Sequence, residues 1–158
     1  MKDCEGLALA LEEAQKGYRE GGIPIGAVLV SADGKVLGRG HNMRVQNGNP
    51  ILHGETSCLQ NAGRLPSSAY RGSTMYTTLS PCDMCTGACL LYGIPRVVIG
   101  ENKTFLGGEA YLKQRGVEVV VLDSSECREL MERMIAEKPE LWNEDIGVEE
   151  RVYSKEKQ

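Results

Sequence analysis

The sequence predicts an α/β fold, a three-layer α/β/α sandwich with a central mixed five-stranded sheet. Three observations carry that prediction. Helical patterns alternate with short Val- and Ile-containing apolar runs through most of the chain, which calls for a sheet covered by helices on both faces. Two of the five runs adjoin across a Gly-containing turn and read as a hairpin, whereas helices separate most of the others. With 158 residues, 41% of them apolar and 25% charged, the chain is about one domain long and can bury a core without staples.

Each element follows in order. From Gly6 to Glu20 the residues Leu7, Leu11, Ala14 and Tyr18 recur at helical spacing, and Gly21-Gly22 ends the pattern. The run from Ile25 to Ser31 and the following KVLGRGHN, separated by Ala32-Asp33-Gly34, form the hairpin. A loop with Asn47, Gly48, Asn49 and Pro50 leads into LHGETSCLQNAG, which reads as a helix stopping near Gly63. TMYTTL is a strand that runs into Ser80-Pro81, after which CDMCTGACLLYG has helical periodicity until Gly93. RVVIG is a strand, EAYLKQRG a short helix, VEVVVL a nearly continuous apolar strand, and SECRELMERMIAE a helix ended by Pro139. We expect a single domain over residues 1–147 and a loose charged tail over 148–158.

Composition narrows the function. No apolar run approaches the roughly 18 residues of a membrane span. The N-terminal stretch carries acids and has no small-residue cleavage site, so it does not read as a signal peptide. A cytoplasmic location is expected, with the nucleus equally open. The net charge of −4 and pI near 5.3 argue against the basic face that nucleic acid requires, and a small neutral substrate fits better. Six cysteines without a secretory signal are expected to be reduced or metal-bound.

Two of those cysteines, Cys82 and Cys85, directly follow Pro81. At i and i+3 on a helix their sulfurs share a face and can reach one ion, and a helix N-terminus lowers thiol pKa toward the thiolate that a metal needs. His53 begins the run His53-Gly54-Glu55. As a third ligand it would leave one tetrahedral position open, the mark of a catalytic zinc site. Glu55, close to the ion without binding it, could then move protons. At i+2 it reaches the same ion only if the helix points end-on at the metal. Each piece alone has a plainer reading: a redox dithiol, a hydrogen-bonded structural histidine, a solvated helix acid, or a closed structural zinc site. Cys4, Cys58, Cys89 and Cys127 read as small core residues or exposed thiols.

Taken jointly, H-x-E followed by P-C-x-x-C is the signature of zinc nucleobase deaminases. The segments GGIPIGAVLV, GRGHNMR, LHGE, YTTLSPCDMCTGA, YGIPRVVIGEN and YLKQRG, in order across nearly the whole chain, resemble the fungal cytosine deaminases of the cytidine-deaminase-like superfamily. That resemblance implies a homodimeric zinc enzyme, with one Zn2+ per subunit, converting cytosine to uracil and ammonia and accepting 5-fluorocytosine. It implies zinc ligation by His53, Cys82 and Cys85, proton transfer by Glu55, and base contacts from Asn42, the Gly54 backbone N–H, the Ser80 carbonyl and Asp145. Asp145 would accept from ring N1–H, which a nucleoside lacks, and so select the free base. Phe105 and Trp142 would form an aromatic lid. The Phe105 loop is one residue shorter than the family pattern, and the tail is longer. The rival readings are a guanine or tRNA-adenosine deaminase, a non-catalytic zinc-binding module, and a thiol-disulfide oxidoreductase.

Overall fold

Helix α1 spans Asp3–Arg19 and starts three residues earlier than its apolar spacing predicts, because the Lys2 N–H donates to the Glu5 carboxylate at 2.8 Å and fixes the first turn. The computed structural model describes residues 1–149; the expected tail from residue 150 onward lies outside the described residues. The chain continues through β1 (Gly26–Val30), β2 (Val36–His41), a short α2 (Arg44–Asn47), α3 (Gly54–Ala62), a short α4 (Ser67–Arg71) and β3 (Thr74–Leu79). It then forms α5 (Asp83–Leu91), β4 (Arg96–Glu101), α6 (Glu109–Gln114), β5 (Glu118–Val121), α7 (Ser125–Glu137) and α8 (Pro139–Asp145).

The strands form one sheet in the order β2-β1-β3-β4-β5. β1 is antiparallel to both β2 and β3, while β3, β4 and β5 run parallel, so the sheet is mixed as expected. The hairpin turns at Gly34, whose φ of 87° suits a residue without Cβ.

Side chains alternate across the sheet with the period of two that a pleated strand imposes. Ala27, Leu29, Met75, Val97 and Ile99 face one way and pack with Cys58 of α3, Cys89 of α5 and Leu112 of α6. Val28, Val30, Tyr76 and Val98 face the other way, against Leu7 and Ala10 of α1 and Cys127 of α7. These two clusters are the two interfaces of an α/β/α sandwich. α1 presses close to the sheet: a Cβ on Gly26 would lie 2.1 Å from the Ala10 carbonyl oxygen. A third cluster gathers Ile23, Ile25, Leu79, Met131, Met134 and Trp142 where β1 begins and β3 ends.

Pro139 does more than end a helix. It occupies the first turn of α8, where proline costs least, after a break at Lys138 (φ −139°, ψ 63°). The sequence reading leaves out α8, α2 and α4, helices of seven, four and five residues.

Candidate active site

Two helix N-termini converge beyond the end of β3. The chain leaves β3 at Leu79, passes Ser80-Pro81, and places Cys82 as the N-cap of α5, with Cys85 in the first turn. Cys82 is thus just outside the helix rather than on it, and Pro81 lies one residue further out. His53 is the N-cap of α3, and Glu55 follows in the first turn. This is the end-on approach that an i+2 carboxylate requires, and both helix dipoles direct positive potential toward the site. The His53 N–H donates to the Thr56 hydroxyl at 2.9 Å, and that hydroxyl donates to the Ile51 carbonyl, fixing the turn that presents the imidazole.

His53, Cys82 and Cys85 each bring one donor atom within 4.8 Å of the others, the cluster among the described residues that could hold a metal ion. His53 Nδ1 lies 3.4 Å from Cys82 Sγ. A hydrogen bond from Cys85, opposed by burial and aided by His53, brings the Cys82 thiol down to about 4, so it is a thiolate at neutral pH. Cys85, the donor in that pair and deeply buried, is held well above the usual thiol range. One imidazole and two sulfurs, one already a thiolate, match the softness and tetrahedral preference of zinc, and three protein donors leave one position for another ligand. His53, Cys82 and Cys85 therefore fit Zn2+.

Glu55 is 4% exposed, and burial, with the Cys82 thiolate nearby, pushes its carboxyl up to about 7. That value suits a group that takes and gives a proton at neutral pH. Asp145, at the end of α8, reaches back to His53: its Oδ1 is 3.2 Å from Nε2, the nitrogen turned away from Cys82. Burial pulls His53 down, but Asp145 and Cys82 outweigh it and carry the imidazole up to about 10. A carboxylate on the far nitrogen of a ligand histidine fixes its tautomer and ring orientation. The sequence reading gave Asp145 a substrate role alone; no local pattern links it to His53, and only the packing of α8 joins them.

Asn42 is fully buried beneath Asp145. Its Oδ1 accepts the Arg44 N–H at 3.0 Å, which turns Nδ2 toward Asp145 at 3.3 and 3.4 Å. His53, Glu55, Ser80, Cys82 and Asp145 line a cavity walled by Ile25, Leu79, Ile146 and the perpendicular pair Phe105 and Trp142, whose ring centroids are 5.9 Å apart. The cavity itself holds about 20 Å³. Gly54 opens α3 against Ile25, where a Cβ would come within 3.0 Å of the Ile25 carbonyl oxygen. All ten residues singled out in the sequence thus gather at one end of the sheet. The other four cysteines are free thiols, Cys4 exposed and Cys58, Cys89 and Cys127 buried.

Comparison with known proteins is consistent with this geometry. Residues 1–101 match the family described as the cytidine and deoxycytidylate deaminase zinc-binding region. The chain is 60% identical over 145 residues to a cytosine deaminase of Candida albicans, covering 92% of this chain and 97% of that one. It is 38% identical over 111 residues to a tRNA-specific adenosine deaminase of Streptococcus pyogenes, 66% of each chain. A solved structure from a study of A-to-I editing by tRNA:A34 deaminases superposes with a TM-score of 0.68 at 30% identity, over 80% of this chain and 99% of that one.

Proposed function

This chain belongs to the zinc-binding cytidine and deoxycytidylate deaminase family, and from that premise we propose that it hydrolyses free cytosine to uracil and ammonia. The observation that carries the reading is one small cavity in which Glu55, the His53 and Cys82 donors and the Asp145 carboxylate share the walls. The similarity to the Candida albicans cytosine deaminase supports the same substrate. A chain with net charge −4 offers little to a polyanion such as tRNA.

His53, Cys82 and Cys85 would hold the metal. Zinc there supplies Lewis acidity that makes water a nucleophile at neutral pH. Cytosine lies between the Phe105–Trp142 pair and the polar wall. Asp145 accepts the ring N1–H, while Asn42 Nδ2 and the Gly54 N–H donate to the carbonyl at C2. The Ser80 carbonyl accepts from the exocyclic amine. As water adds to C4, Glu55 takes its proton and passes it to N3, then takes the proton of the new C4 hydroxyl and delivers it to the nitrogen that leaves as ammonia, so that C4 becomes a carbonyl. One water is consumed and one ammonia released, and the enzyme carboxylate returns to its starting state. An acceptor facing N1 excludes cytidine, whose N1 bears the sugar and offers no hydrogen to it. 5-Fluorocytosine differs only by one small substituent and is taken as a substrate too.

The domain spans residues 1–147 and works as a homodimer. Ile51, Leu91 and Tyr92 are 60%, 76% and 44% exposed beside the apolar groove between α3, α4 and the end of α5, which supports burial against a second copy. Among the described residues no helix is long and apolar enough to cross a membrane. Six cysteines outside any disulfide support a reducing compartment such as the cytoplasm.

The test is to incubate zinc-replete protein separately with cytosine, cytidine and guanine and separate the products by chromatography. Uracil from cytosine alone is expected, and Glu55→Gln should lower kcat by about a thousandfold while keeping its zinc. Turnover of cytidine or guanine in place of cytosine would overturn the substrate, and full activity of Glu55→Gln would remove Glu55 from the proton path.

A further inference from the structure

Glu109 is a buried carboxylate to which the deamination chemistry assigns no work. It is the first residue of α6, where an acid commonly faces water and answers the helix dipole. Here the side chain turns inward, 7% exposed, and makes its bonds to other segments. Its Oε2 accepts the Ser80 hydroxyl at 2.7 Å, and its Oε1 accepts Asn102 Nδ2 at 3.2 Å. Having given its single proton to Glu109, Ser80 Oγ accepts the Gly107 N–H at 2.9 Å.

These bonds close a ring around the 102–108 loop, which carries Phe105. One end of the loop is tied to Glu109 through Asn102, the other through Gly107 and the Ser80 hydroxyl. The loop lies flat on the segment that supplies Cys82: the Gly108 N–H donates to the Pro81 carbonyl at 2.9 Å, and a Cβ on Gly107 would fall 1.8 Å from that oxygen. At the end of β4, fully buried Glu101 accepts the Lys103 and Thr104 N–H groups at 2.7 and 3.0 Å, so the turn has its own anchor. Glu109 instead joins the loop to the site. Pro81 has no N–H to donate, and the backbone here is held by the Ser80 N–H on the Glu101 carbonyl at 3.0 Å. The Ser80 hydroxyl, two residues before Cys82, adds the tether that reaches Glu109.

We propose that Glu109 is a positioning residue: through the Ser80 hydroxyl it holds both the Ser80 backbone and the Phe105 loop in register over the cavity. The effect on turnover rests on the function proposed above; the effect on the loop does not. Trp142 is the single tryptophan of the chain and its ring meets Phe105 edge-on, so its fluorescence reports the loop without any substrate.

The experiment compares Glu109→Ala, Glu109→Gln and Ser80→Ala with the wild type in zinc content, cytosine kinetics and acrylamide quenching of Trp142. Glu109→Ala should keep its zinc, lose at least about tenfold in kcat/KM and become more readily quenched. Glu109→Gln, which retains an acceptor oxygen for Ser80, should stay within about threefold of wild type, and Ser80→Ala should reproduce the loss. Unchanged kinetics and quenching in both alanine variants would overturn the proposal. If Glu109→Ala fails to fold, Ser80→Ala decides by the same two readouts. A wild type inactive on cytosine would overturn the proposed function instead, and quenching would still decide the role of Glu109.

Discussion

Asp145 holds two positions of influence at once, and the two can be separated. Its carboxylate meets Nε2 of His53, so it orients a metal ligand, and it lines the cavity where the base would lie. Losing the partner of a ligand histidine typically weakens metal binding about 10–100-fold. Asp145→Ala should therefore release zinc more readily by that factor in competition with a chromophoric chelator, in addition to losing activity on cytosine. Unchanged zinc retention with lost activity would confine Asp145 to the substrate. At this scale the sequence was legible where chemistry is local: His53 and Glu55 are neighbours at one helix start, and Cys82 and Cys85 at another. Asp145 was identified through a family resemblance, and its bond to His53 could not be, because nothing in the intervening residues encodes it.

At the scale of elements, α1 is fastened to β2 by an ion network as well as by apolar packing. Glu13, 4% exposed, accepts from Arg39 Nε at 2.8 Å and pairs with His41 Nδ1 at 2.9 Å, while His41 Nε2 meets Glu20 at 2.8 Å. Burial alone would raise the Glu13 carboxyl, but His41, Arg39 and Lys16 outweigh it and hold it below its ordinary 4.5. A carboxyl with a depressed folded pKa contributes stability above its unfolded pKa and loses that contribution as the pH falls through the folded value. Glu13→Gln should thus cost about 1.5–3 kcal/mol at pH 7 in urea denaturation. The gap from wild type should close progressively as the pH drops below 4.5. A gap independent of pH would show that shape, and not charge, matters at this site. The apolar stripe Leu7, Leu11, Ala14 and Tyr18 leaves position 13 off its face, and only the packing of β2, which brings Arg39 and His41 alongside, buries this acid.

For the whole molecule, the exposed apolar surface near the end of α5 predicts association. Sedimentation velocity should find a species of about twice the 17.3 kDa chain mass, and Leu91→Asp should shift it toward the monomer while leaving the secondary structure intact. A wild type that sediments as a single chain would overturn the homodimer. The fold itself was legible because short apolar runs in β1 and β4, buried on both faces, and a period near 3.6 in α1 and α5 report burial directly. The short α8 has no such signal, although it carries both Trp142 and Asp145.

By itself the sequence determined the five strands and the longer helices, the three-layer class, and the residues able to hold zinc and move a proton, because each depends on spacing within a few residues. The tertiary structure alone decided which distant groups meet: Asp145 with His53, Glu109 with Ser80, Glu13 with His41. Those contacts follow from strand order and from the direction in which α6 and α8 return to the sheet end. Local periodicity records that a side chain is buried and carries no information about what it is buried against.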